Sequence, residues 1–331
     1  MEYPMNRLLH QESELFKDLL LASSERLSIP IYLVEKDYYI SMILKALSQS
    51  AYNAQIVFKG GTSLSKGYQL IDRFSEDVDF AVISEGMSGN QVKTLLSHLM
   101  KEVTMGLSED KDFVDVSKGS KYRKQAFTYT SQLDWTGLAN PIPARVIVEI
   151  SAFANPFPYE KRLIEPLVST VLKEQGMIDF IDKYDLGAFE LNVLSLKQTL
   201  CEKLVSLIRF SMSADPIMAL SSKVRHFYDI EALLCREELL RYIEGTSFLE
   251  DIQRLIRHDQ AAFSEPQGWG ELTSIEDAPV IKDFEAMWNK KLGAEYERNL
   301  SLIAYKPIPP RRKVEQTFMG LIDRLKSLAI K

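Results

Sequence analysis

Asp77 and Asp79 stand one residue apart in the segment SEDVDFAVI. Alternate residues of a β-strand share a face, so both carboxylates project the same way, about 7 Å apart. Two anionic side chains that close repel each other, and the arrangement suits hard divalent cations, which take oxygen ligands and keep positions open for a triphosphate. Magnesium is the natural ion. Glu149, the acid inside the β-branched run RVIVEIS, could supply a third metal ligand from a neighbouring strand; the alternative is an edge strand that turns this acid to solvent. Upstream, Gly60 and Gly61 mark a strand-to-helix turn where backbone N–H groups point outward and phosphate can approach closely. Thr62 and Ser63 follow, with hydroxyls placed to cap the helix or touch phosphate oxygens. The Gly-x-x-x-x-Gly-Lys-Ser/Thr spacing of a P-loop is absent. Lys59 and Lys66 flank the glycine turn and could neutralise a triphosphate, while Arg73 precedes the acidic pair and could hold an incoming strand. For each of these three cations the alternative is simple solvation.

The elements that must position these groups read as a mixed α/β unit followed by a helical one. Helical spacing covers residues 10–25 and 33–48, the second with Val34, Tyr38, Ile40, Ile43, Leu44 and Leu47 on its apolar positions. QIVF reads as a short strand ending at the double glycine, a helix of about ten residues follows, and VDFAVI is the next strand. SEGMSGN breaks the pattern before a helix over 91–105, and AFTYTSQL and ARVIVEIS supply two further strands. The proline-rich stretch FANPFPYEKRLIEP is expected to be irregular and to join two lobes, 1–155 and 156–331. From Leu196 onward the pattern is mainly helical, which predicts a bundle.

Two polar residues of that second half sit on helices. Lys203 lies in a row with Leu196, Leu200 and Leu207, where a lysine is costly unless it is paired, snorkels to water or binds phosphate. Asp229 is expected to point away from the apolar stripe of its helix, beside Arg225, as an i,i+4 surface pair.

Composition bounds the rest. The chain has 331 residues, 46% hydrophobic and 26% charged, enough for a sizeable core and without low-complexity tracts. A net charge of −6 gives no global attraction to nucleic acid, so a polyanion would need a local basic patch such as SKGSKYRK (117–124) or YKPIPPRRK (305–313), each of which also reads as a solvated loop. No apolar run reaches membrane-spanning length and the N-terminal segment lacks the order of a signal peptide, so a cytoplasmic protein is expected. Cys201 and Cys235 read as core residues in a reducing compartment, and the four histidines, His226 among them, show no metal-ligand spacing.

Taken together, GGTSL, RFSEDVDF, EKL and RHFYDIEALL resemble the AbiEii/AbiGii-type toxin family of nucleotidyltransferases, over about Val34 to Leu234. The resemblance implies a DNA polymerase β-like catalytic lobe, with Asp77 and Asp79 binding metal and Ser75 near the nucleotide. It also implies that Lys203 contacts the triphosphate and that Asp229 is a further active-site acid. The expected reaction moves an NMP from an NTP onto an acceptor hydroxyl with Mg2+ as cofactor. Such proteins are the toxin halves of toxin–antitoxin or phage-defence pairs, which implies a cognate antitoxin, and some members modify the 3′ end of tRNA. A protein or small-molecule hydroxyl as acceptor, and a nucleotide- or antitoxin-binding module without turnover, remain open.

Overall fold

The computed structural model describes residues 8–75, 77–133, 142–153 and 156–329. It divides the chain into two compact units, residues 1–68 with 74–193, and residues 69–73 with 194–331. The boundary therefore falls well after the expected 155/156, because two strands that the sequence pattern did not reveal extend the first unit. Residues 1–7 of the N-terminal segment and 154–155 of the proline-rich stretch lie outside the described residues.

The first unit runs α1 (Ser13–Leu27), α2 (Ile31–Gln49), β1 (Ile56–Lys59), α3 (Gly60–Lys66), β2 (Asp77–Val82), α4 (Gly89–Val103), β3 (Ser108–Glu109), β4 (Ser117–Lys118), β5 (Tyr122–Thr128), β6 (Arg145–Ser151), β7 (Tyr159–Ile164), α5 (Leu167–Glu174), α6 (Ile178–Lys183) and β8 (Phe189–Leu194). The strands form one mixed sheet in the order β3-β5-β6-β2-β1-β8-β7, with β4 paired to β5. Strand β2 is central, antiparallel to β1 and parallel to β6. Both α2 and α4 arise where the apolar periodicity placed them. Ser88 and Gln91 close a reciprocal capping box at the start of α4. Strand β7 escaped notice because it is an edge strand with three charged residues in succession, Glu160, Lys161 and Arg162, so it shows no apolar alternation. The helix begins at the double glycine itself and is seven residues long, shorter than expected.

The second unit is helical, as the periodicity predicts: α7 (Leu196–Ser211), α8 (Pro216–Ser221), α9 (Val224–Leu234), α10 (Glu237–Ile243), α11 (Thr246–Ala262), α12 (Pro279–Lys282), α13 (Phe284–Met287), α14 (Gly293–Ile303) and α15 (Arg311–Ala329). Its core is an aromatic cluster of Phe227, Phe284, Trp288 and Phe318 with ring centroids 4.6–5.5 Å apart. Cys201 is buried, but Cys235 is exposed just past the end of α9 and is not a core residue. Among the described residues no helix is long and apolar enough to cross a membrane.

Candidate active site

Strand β2 turns Val78 and Phe80 into the core and leaves Asp77 and Asp79 half-exposed on the opposite face. The two carboxylates therefore share a face, as their spacing requires. The sheet register places four charged residues in one row across β1, β2, β6 and β5: Lys59 opposite Asp79, Asp79 opposite Glu149, and Glu149 opposite Lys124. Neighbouring strands lie about 4.8 Å apart, so this row runs positive, negative, negative, positive within a short span.

The double glycine meets this row at Asp79. Gly60 has φ +80°, and a β-carbon there would lie 2.0 Å from Asp79 Oδ2. No side chain fits between them, so glycine is the residue that lets the α3 backbone lie against the carboxylate. Gly60→Ala combines a left-handed backbone with this clash. It is expected to lose at least about 1–2 kcal/mol in denaturant melts through the backbone term alone, and more if Asp79 cannot move aside.

Thr62 and Ser63 are buried rather than presented to a ligand. The Thr62 hydroxyl donates to the Asp77 carbonyl oxygen and the Ser63 hydroxyl to the Gly60 carbonyl oxygen at 2.9 Å, so both protons serve the backbone. The expectation that they touch phosphate is corrected accordingly: they brace the turn and the first residue of β2. Lys66 is corrected as well. Its side chain is buried and its ammonium donates to Asp37 of α2, which withdraws it from a triphosphate. Ser75 is half-exposed two residues before Asp77.

Glu149 lies beside Asp79, as a third ligand would, but both its oxygens are engaged. Tyr122 donates its hydroxyl to one at 2.7 Å and Lys124 approaches the other at 2.9 Å. Burial, and then the hydrogen bond to Glu149, push the Tyr122 phenol well above its ordinary pKa. Burial lowers the pKa of Lys124, but Asp115 and Glu149 outweigh it and the ammonium is held charged. Among the described residues no three His, Cys, Asp or Glu side chains converge on a metal position. The pair Asp77 and Asp79 still fits magnesium, an ion held by hard anionic oxygens and commonly by one or two carboxylates with substrate phosphates completing its shell.

In the second unit, Lys203 occupies the buried leucine row that the spacing placed it in. Its ammonium donates to Asp229 Oδ2 at 2.6 Å. Arg73, from the segment 69–73, forks the same carboxylate through Nε at 2.8 Å and a terminal nitrogen at 2.6 Å. Asp229 is thus fully buried and is not a surface partner of Arg225. Helix α9 packs on several sides, so the logic of a single apolar stripe fails there. Arg73 in turn is a buried anchor and not a free hand for an incoming strand. Burial raises the Asp229 pKa, but Arg73 and Lys203 outweigh it and hold the carboxyl well below the usual range. His226 on the same helix is kept neutral, first by burial and then by the Lys203 charge.

The basic segments are largely compensated. Lys118 pairs with Glu109 and Lys124 with Asp115, while Lys306 pairs with Asp72 and Lys313 with Glu231, leaving Lys121, Arg311 and Arg312 exposed. Sequence reasoning missed Asp37. Its signal was Glu35-Lys36-Asp37, three consecutive charges inside an otherwise apolar helix.

Residues 42–311 match the family model described as nucleotidyl transferase AbiEii toxin, type IV toxin–antitoxin system. Among solved structures, the chain is 16% identical to MenT4, a nucleotidyltransferase toxin from Mycobacterium tuberculosis H37Rv, over 94% of this chain and 98% of that one, with a TM-score of 0.39. It is 15% identical to JHP933 from Helicobacter pylori, over 81% of this chain and 94% of that one, with a TM-score of 0.32. No curated protein matches it.

Proposed function

The chain belongs to the AbiEii nucleotidyl transferase toxin family, and from that premise we propose that it transfers an NMP from an NTP to the 3′ end of tRNA in the cytoplasm, with Mg2+ held by Asp77 and Asp79. The observation that carries this reading is the placement of both carboxylates on one exposed face of β2, with Gly60 against Asp79. Nucleotidyl transfer requires an acceptor oxygen to form a bond to the α-phosphorus while the bond to the β-phosphate breaks and pyrophosphate leaves. Magnesium bound there would lower the pKa of the acceptor hydroxyl and offset the charge of the leaving pyrophosphate.

The protein's own residues supply the frame. Asp77 and Asp79 are the residues that would hold the ion. Gly60 and Gly61 let a triphosphate approach the backbone, and half-exposed Ser75 offers a hydroxyl on the way into β2. Lys59 and Lys124, at the two ends of the charged row, offset the negative charge gathered there. Engaged as it is by Tyr122 and Lys124, Glu149 orients the row and leaves the metal to the aspartates. Within the second unit, Lys203 and Asp229 stay paired to each other. The reaction needs no side-chain nucleophile.

Incubation with α-labelled NTPs and separate pools of tRNA, cellular protein and small molecules tests the acceptor. Label is expected in tRNA, with extra 3′ nucleotides on sequencing. Label confined to the protein or small-molecule pool overturns the tRNA assignment while keeping the chemistry. Expression without the cognate antitoxin is expected to arrest growth through lost translation.

A further inference from the structure

Helix α2 buries three consecutive charged side chains, Glu35, Lys36 and Asp37, at 2%, 1% and 5% exposure. Successive helical residues are turned by about 100°, so the three reach different parts of the first unit. Glu35 accepts from the Ser131 hydroxyl and the Gln132 N–H, both at 2.7 Å. The Lys36 ammonium donates to the Pro143 carbonyl oxygen at 3.2 Å, two residues before β6, and lies 5.8 Å from the ring centroid of Phe74, the neighbour of Ser75. Asp37 accepts from the Lys66 ammonium through one oxygen and from the Leu167 N–H at 2.8 Å through the other.

A buried ion pair is weak evidence for stability, since apolar residues of similar volume often hold a fold equally well. What a pair fixes better than an apolar contact is position and direction. Lys66 is the last residue of α3, whose first residue touches Asp79 and whose third holds the Asp77 carbonyl. Seven residues make too few internal hydrogen bonds to fix a helix by themselves, so α3 takes its place from the packing of its buried middle, Leu64 included, and its direction from the contacts at its two ends.

We propose that Asp37 and Lys66 are positioning residues for the transfer reaction, setting through α3 the direction of the Asp79 carboxylate and the backbone at Asp77. This inference rests on the reading of Asp77 and Asp79 as the groups that carry the reaction.

The double variant Asp37→Asn with Lys66→Met tests it. The asparagine oxygen still accepts from Leu167, the methionine fills the lysine stem's volume, and no buried charge is left unpaired. Its melting temperature is expected within about 3 °C of the parent. The kcat for nucleotidyl transfer is expected to fall at least about tenfold, since small misplacements of reacting groups are costly, with the KM for NTP within about twofold. A folded double variant with parental kcat overturns the proposal. Should it fail to fold, Lys66→Arg decides instead, because it keeps the charge and shifts the anchoring atoms. A several-fold lower kcat at unchanged KM is expected of it, and parental kcat overturns the proposal. Asp79→Asn run alongside separates the two levels. If Asp79→Asn leaves transfer intact, the underlying reading fails; if it abolishes transfer while the double variant does not, only this inference fails.

Discussion

Asp79→Asn is expected to leave the protein folded and to lower nucleotidyl transfer by about a thousandfold, close to 4 kcal/mol of transition-state stabilisation. The substitution keeps the size and shape of a side chain that lies against Gly60, so packing at the turn survives. What changes is charge. A neutral amide in place of the carboxylate is a poor ligand for a hard dication, and the row Lys59, Asp79, Glu149, Lys124 loses one of its two central anions. Asp77 and Glu149 repel Asp79 while Lys59 opposite it attracts, so removing its charge is expected to leave the melting temperature within a few degrees of the parent. Labelled-NTP transfer and a thermal melt on the same preparation check both halves. Transfer within tenfold of the parent would remove Asp79 from the metal-holding role.

Asp229→Ala is expected to have the largest effect on stability, about 3–5 kcal/mol, because it strands Arg73 and Lys203 as buried cations without their shared carboxylate. Asp229→Asn is expected to lose less, since its carbonyl oxygen still accepts one hydrogen bond. The pH dependence has a definite sign. The folded-state pKa of Asp229 lies below the ordinary value of about 3.9, so the unfolded chain takes up this proton first as pH falls. Its contribution is whole above about pH 5, declines as pH drops through 4, and continues to shrink toward the lowered folded pKa. Denaturant melts of parent and Asp229→Asn between pH 7 and pH 3 are expected to differ most at the neutral end and to converge in acid. A gap independent of pH would mean that the carboxylate charge is not what Arg73 and Lys203 recognise. If Asp229→Ala instead folds like the parent and loses only transfer, its role lies in the reaction alone.

Much of the site was legible in the sequence because local chemistry dictated it. A strand's two-residue period puts Asp77 and Asp79 on one face wherever the strand lies, and a double glycine between a strand and a helix announces a close backbone approach. The leucine spacing likewise placed Lys203 in a buried row. The side chains around these features resisted the same treatment. Thr62, Ser63 and Lys66 have the right chemistry for phosphate, and only packing reveals that α3 turns them inward to the Gly60 and Asp77 carbonyls and to Asp37. Glu149 was found by its isolation in an apolar run, whereas Tyr122 and Lys124, which hold it, come into reach only through the antiparallel pairing of β5 with β6.

The order of residues alone determined the mixed α/β character of the first half, the helical second half, the shared face of the acidic pair and the family to which the motifs point. These depend on backbone periodicity and on neighbours a few positions away. Tertiary structure alone decided which charges meet. Arg73 and Asp229 are 156 residues apart and Lys66 and Asp37 are 29 apart, yet each pair is joined in a buried contact. A charge taken out of water must find its opposite, and where that opposite lies depends on the packing of whole elements, which no local pattern encodes.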